Sequence, residues 1–171
     1  MGKTTTAARI LLVSYIVTIV WIILFKMVGS LDGFREMFYS QPHHVNWIPF
    51  KESVIVNHHL QTREIIDNLL IFLPFGGLLA LGFKKMNIFK VTGIVMVFTV
   101  AVELLQYTFG LGRADITDVL MNTLGAVLGY LIYRLLKAVF PSSKTDRVLV
   151  IAGLSLFSVI LVGLLIIVAF N

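Results

Sequence analysis

Five long apolar runs separated by shorter polar stretches set the pattern of this chain: residues 7–28, 65–83, 88–109, 116–140 and 148–170. Each is about long enough to cross the roughly 30 Å hydrocarbon core of a bilayer as a helix. The pattern predicts an all-α fold, a polytopic transmembrane helical bundle of about five spans forming one integral membrane domain over residues 1–171. A long loop, about residues 29–64, joins the first two spans. Lys3 and Arg9 ahead of the first run imitate a signal peptide, but no small-x-small cleavage site follows before Lys26, so this span is expected to be uncleaved.

Composition sharpens that picture. The chain is 58% hydrophobic and only 13% charged, far from the usage of a soluble domain. It has no cysteine, which excludes disulfides and thiolate metal ligands. A net charge of +5 raises the question of nucleic acid, and the placement of the charges answers it. With the N-terminus inside, Lys3, Arg9, Lys84, Lys85, Lys90, Arg134, Lys137, Lys144 and Arg147 all fall on the inner side. Lys26, Arg35, Lys51, Arg63 and Arg113 remain outside, and Asp146 is the one acid that falls inside. A Lys/Arg excess in short loops marks the cytoplasmic face. The expected topology is therefore N-in and C-out in a bacterial plasma membrane, with lipid and not nucleic acid as the surrounding partner.

Against this apolar background the stretch VELLQYTFGLGRADITDVLMN, residues 102–122, stands out. It puts Glu103 and Gln106 in the outer third of the third span, Arg113 and Asp115 in a short outer turn, and Asp118 and Asn122 at the start of the return helix. Spacings of three and four place each pair on one helical face. Gly125 and Gly129 continue the Asp118/Asn122 stripe inwards as a Gly-x-x-x-Gly face, which admits a second helix at close range. Polar side chains at membrane depth need a partner or water. For Glu103 two compensations stand open: an ion pair with Arg113, or a neutral carboxyl hydrogen-bonded to Gln106 or Asn122. Asp115 reads as a helix N-cap with Asp118 as the acid of a capping box, and Asp118 and Asn122 also suit interhelical hydrogen bonding.

Two further stretches face the same side. In REIIDNLLIFLPFGG, Asp67 suits a helix N-terminus and Asn68 is expected to reach the polar cluster, while Pro74 with Gly76 and Gly77 predicts a kink or local unwinding that frees the Leu70 carbonyl. In QPHHVNWIPF, turn residues alternate with Asn46, Trp47, Pro49 and Phe50, which suits a loop that lies at the interface, either as an aromatic anchor or as a lid over the polar cluster. The pairs His43/His44 and His58/His59 do not share a face and follow no metal-binding spacing, so neither metal nor cofactor is expected. Nucleophile elbows are missing, and Gly2–Lys3–Thr4 lacks the rest of a phosphate loop.

Taken in order, NWIPF at 46–50, Asn68 followed by LPFG at 73–76, ELLQ at 103–106 and GRADITDVLMNTLGAVLG at 112–129 resemble the VanZ-like family, over a core of about residues 46–137. The resemblance implies an integral protein of bacterial envelopes, similar to one associated with low-level resistance to glycopeptides such as teicoplanin. It marks Asn46, Pro49, Asn68, Pro74, Gly76, Glu103, Gln106, Arg113, Asp118, Asn122, Gly125 and Gly129. The favoured expectation is a non-enzymatic factor whose outward polar cavity takes a lipid-linked cell-wall component or an amphiphilic antibiotic. A membrane-embedded enzyme on an envelope lipid, with Glu103 as acid or base, Arg113 stabilising an anion and Asp118 orienting a water, is the first alternative. A small proton-coupled transporter is the second.

Overall fold

The computed structural model describes residues 2–25, 45–50, 55–56, 59–60, 62–109, 114–140 and 143–170. Nearly all of these belong to five helices: α1 (Lys3–Phe25), α2 (Thr62–Gly82), α3 (Ile88–Phe109), α4 (Ile116–Val139) and α5 (Ser143–Phe170). Even α2, with 21 residues, reaches about 31 Å at the helical rise, enough for the hydrocarbon core. All five contain a stretch long and apolar enough to cross a membrane. Val13, Val17, Val97, Leu135 and Val159 stand exposed on their outer surfaces. Water would penalise those faces, whereas lipid accepts them.

The spans agree with the hydrophobic pattern, and three helices start before it. α1 starts at Lys3 instead of residue 7, α2 at Thr62 instead of residue 65, and α5 at Ser143 instead of residue 148. Hydropathy marks only the part of a helix that lies in hydrocarbon, whereas backbone hydrogen bonding continues into the polar interface. Two short sheets complete the fold. β1 (Val45–Asn46) pairs in parallel with β4 (Ala114–Asp115), and β2 (Ile55–Val56) pairs antiparallel with β3 (His59–Leu60). Residues 26–44, which include the expected first half of the long loop with His43 and His44, lie outside the described residues, as does His58.

The centre of the bundle is the seam between α2 and α4. A Cβ added at Gly76 would collide with the Ala126 carbonyl, one at Gly125 with the Leu69 carbonyl, and one at Gly129 with the Leu73 carbonyl. Asn68 meets Asp118, Leu69 meets Gly125 and Leu73 meets Gly129, in the same order along both helices, so α2 and α4 run parallel and touch backbone to backbone. The expected Gly-x-x-x-Gly approach is thus present, and Gly76 supplies the matching small residue on α2. Phe72 and Phe75 are fully buried beside this seam and pack on Phe98 of α3, with Phe75 and Phe98 edge to face at 5.2 Å.

Local unwinding at Pro74 does not occur: α2 is continuous through it. Proline removes one donor and crowds the turn before it. Help comes from α1, where the Tyr15 hydroxyl donates to the Ile71 carbonyl at 2.6 Å, one residue on from the carbonyl expected to be freed. A neighbouring helix supplying a donor in the proline turn is how such prolines persist inside membrane helices. At the foot of α2, Arg9 donates through Nε to the Gly82 carbonyl at 2.9 Å and lies 4.5 Å over the Phe83 ring. A cation there satisfies an orphan carbonyl at a negative helix end.

Candidate functional site

At the other end of the bundle, one residue organises the polar cluster. Asp115 is extended, with φ −124° and ψ 122°, and its Oδ1 accepts from the Thr117 N–H at 2.7 Å. That is the expected N-cap of α4. Its other oxygen, Oδ2, accepts from Asn46 Nδ2 at 3.0 Å, matching the β1–β4 register that sets Asn46 against Asp115. Its backbone N–H donates to Glu103 Oε2 on α3 at 3.0 Å. A capping box would give that last bond to the third helical residue, Asp118. Here a carboxylate from another helix makes it, and Asp118 instead accepts from Asn68 Nδ2 of α2 at 2.6 Å. The bond to the cap N–H that a capping box assigns to Asp118 is thus made by Glu103. The cause is tertiary: Glu103 arrives from a different helix at the place where a local side chain would have reached back.

The segment 45–50 is fastened over this end of α4. Asn46 is buried and its Oδ1 accepts from the Ile48 N–H at 3.2 Å, while the Phe50 N–H donates to Thr117 Oγ1 at 3.0 Å. Phe50 has a φ of 62°, in the left-handed region. Following Pro49, this is the arrangement of a type II turn with phenylalanine where glycine is usual, and it stores roughly 1–2 kcal/mol of strain. Trp47, Ile48 and Phe50 are exposed above it.

Glu103, Asp115 and Asp118 gather around the N-terminus of α4. A helix N-terminus presents unpaired N–H groups and positive partial charge, so carboxylates are favoured there. The structure thus offers Glu103, which is 7% exposed, a compensation that neither reading of the sequence proposed. Arg113 lies outside the described residues. Asp67 pairs with Arg63 at 3.6 Å on the exposed side of α2, leaving its neighbour Asn68 to turn inwards as expected. Gln106 is half-buried one turn beyond Glu103, and Asn122 is buried one turn below Asp118. The Asn122 Oδ1 and the Thr99 Oγ1 have no hydrogen-bond partner among the described residues.

A cavity of about 340 Å³ lies beneath the segment, walled by Asn46 and Trp47, by Val100, Glu103, Leu104 and Tyr107 of α3, and by the start of α4. Its polar groups are few, and among the described residues its wall holds no lysine or arginine. Asn68, Gln106, Asp118, Asn122 and Pro49 stand outside that wall. Pro74 and Gly129 line a different cavity, apolar and of about 220 Å³, between α1, α2, α4 and α5. Gly76 and Gly125 serve the helix seam. The candidate residues therefore divide into a cavity group around Glu103, a clamp of Asn68 on Asp118, and a packing group. Tyr107 joins the first group without having been singled out by the sequence; Thr117, buried outside the wall, ties Asp115 and Phe50 together, and only the N-cap position beside Asp115 hinted at it. Chemically the cavity offers a carboxylate acceptor in an apolar room, suited to an N–H or O–H on a largely apolar ligand.

Comparison with known proteins shows the family. The VanZ/LLP1 family model matches residues 12–137, which contain every member of the three groups. Protein VanZ of Enterococcus faecium is 35% identical over 162 residues, covering 95% of this chain and 94% of that protein. No solved structure matches. With five membrane-length apolar helices and the cluster at the start of α4 inside the matched segment, the chain belongs to the VanZ/LLP1 family as a multi-pass membrane protein.

Proposed function

We propose that this protein works in a bacterial envelope to lower susceptibility to glycopeptide and lipoglycopeptide antibiotics such as teicoplanin, by taking an amphiphilic ligand into the cavity under the 45–50 segment. The ligand is a lipid-linked cell-wall component or the antibiotic itself. The observation that carries the reading is Glu103: a buried carboxyl group, held by the Asp115 N–H, that with Asn46, Tyr107 and Asp115 supplies the few polar points of a largely apolar room whose wall includes the exposed Trp47. Likeness to Protein VanZ supports the resistance phenotype.

The test is the susceptibility of a sensitive host to teicoplanin and related lipoglycopeptides with empty vector, this protein, or equally expressed Glu103→Gln and Asp118→Asn variants. Glu103→Gln keeps the shape and an oxygen for the Asp115 N–H but replaces the other carboxyl oxygen by an NH2 donor, which is expected to weaken ligand binding about ten- to a hundredfold. Protection by the wild type that is lost in the variants is the expected result. Full protection by Glu103→Gln overturns the role of the cavity, and no protection from a well-inserted wild type overturns the antibiotic phenotype.

In this reading the cavity faces outward and the N-terminus lies in the cytoplasm, because Arg9, Lys84, Lys85, Lys90, Arg134, Lys137, Lys144 and Arg147 cluster at the opposite end. The absence of native cysteine makes the orientation directly measurable. Thr62→Cys is expected to react with a membrane-impermeant maleimide on intact cells, and Lys85→Cys only after permeabilisation. The reverse pattern inverts the topology.

A further inference from the structure

The basic end of the bundle holds a second organised site, separate from the cavity proposed to bind the antibiotic or wall component. Asp146, buried in the first turn of α5, accepts the Lys84 Nζ on Oδ2 at 3.3 Å and the Lys137 Nζ on Oδ1 at 3.1 Å. The Tyr133 hydroxyl donates to the same Oδ1 at 3.2 Å. One carboxylate thereby fixes two lysines at the edge of a cavity of about 190 Å³ that Lys84, Lys137, Arg134, Tyr130 and Tyr133 line. Arg134 is exposed and has no carboxylate partner among the described residues, so three cations face one anion. The far side of Tyr133 lines the apolar cavity of about 220 Å³ between α1, α2, α4 and α5. A cationic pocket and an apolar pocket thus share a tyrosine.

We propose that an anionic glycerophospholipid occupies this pair of cavities, its phosphate between Lys84, Arg134 and Lys137 and one acyl chain against Leu136, Leu156 and Phe157. Basic pockets between membrane helices recognise anionic headgroups by charge, with each lysine or arginine near the surface contributing. The lysines are held in place by Asp146 before any ligand arrives, so little ordering is needed on binding. Tyr133 stands where the headgroup meets the chain, a position suited to an amphipathic ring.

The experiment is native mass spectrometry of the full chain released from micelles containing equal phosphatidylglycerol and phosphatidylcholine of matched acyl chains. The wild type is expected to retain phosphatidylglycerol in clear preference, and Arg134→Gln to lower that retention about fivefold, the worth of one surface cation. Arg134 is exposed and unpaired with any carboxylate among the described residues, so its loss leaves the bundle intact, and an unchanged thermal midpoint verifies this. Leu156→Trp, which fills the apolar cavity and keeps every charge, is expected to lower retention as well. Soluble glycerol 3-phosphate is expected not to displace the lipid. Displacement by it, equal retention of both lipids, or retention unaffected by Arg134→Gln overturns the proposal.

Discussion

A Gly76→Val protein is expected to lose its compact form in mild detergent well below the temperature at which the wild type does. The Cβ of any side chain at Gly76 falls on the carbonyl group of Ala126, and backbone in the middle of a helix cannot step aside as a side chain can. α2 and α4 must separate, and the displacement acts along the whole parallel seam, from the Asn68–Asp118 clamp through the Leu69–Gly125 and Leu73–Gly129 contacts. Overpacking a tight interior costs about 1–3 kcal/mol and occasionally more, and a collision with backbone belongs at the top of that scale. Gly93→Ala is the control, because nothing lies within 4 Å of a Cβ there. It is expected to keep or raise stability by up to about 1 kcal/mol through helix propensity. Thermal midpoints from the loss of the monodisperse size-exclusion peak read both. A Gly76→Val midpoint equal to that of the wild type would show that the helices do not touch as described.

The architecture was legible because a bilayer leaves few options: long apolar runs must be helices, and their number and length follow from counting. The Gly125/Gly129 face, the Asp115 cap and the inward turn of Asn68 were legible for a similar reason, since each depends on spacing within one helix. What the sequence did not disclose is non-local. Asn46 and Asp115 are brought together by a strand pair, and no local pattern announces that register. Glu103 completing the cap of α4 depends on two helix ends meeting. Pro74 signalled a kink or unwinding because proline is read one helix at a time, while a donor from α1 reaches the turn before it and α2 runs on through it. Asp146 looked like a stray acid in a basic region, and only its distances to Lys84 and Lys137 reveal an anchoring role.

The same dependence on non-local contact makes Asp115 the most consequential single polar residue at the N-terminal end of α4. Its side chain closes α4 through Thr117 and fastens Asn46, so Asp115→Ala removes two hydrogen bonds and leaves the buried Asn46 amide facing no acceptor. A lost N-cap costs about 0.5–2 kcal/mol, and an unsatisfied buried donor about 1–3 kcal/mol. Together these predict a loss of about 1.5–5 kcal/mol, with detachment of the 45–50 segment. Asp115→Asn separates the two roles. Its amide oxygen still caps Thr117, but its NH2 meets the Asn46 Nδ2 donor to donor, so most of the helix stability is expected to return while the segment stays loose. A nitroxide at Ile48→Cys, exposed and in a chain free of other cysteines, reports the segment. Its spectrum is expected to sharpen in both variants, whereas the thermal midpoint falls fully only in Asp115→Ala. An immobile label in both variants would mean that Phe50 on Thr117, and not Asn46 on Asp115, holds the segment over the cavity.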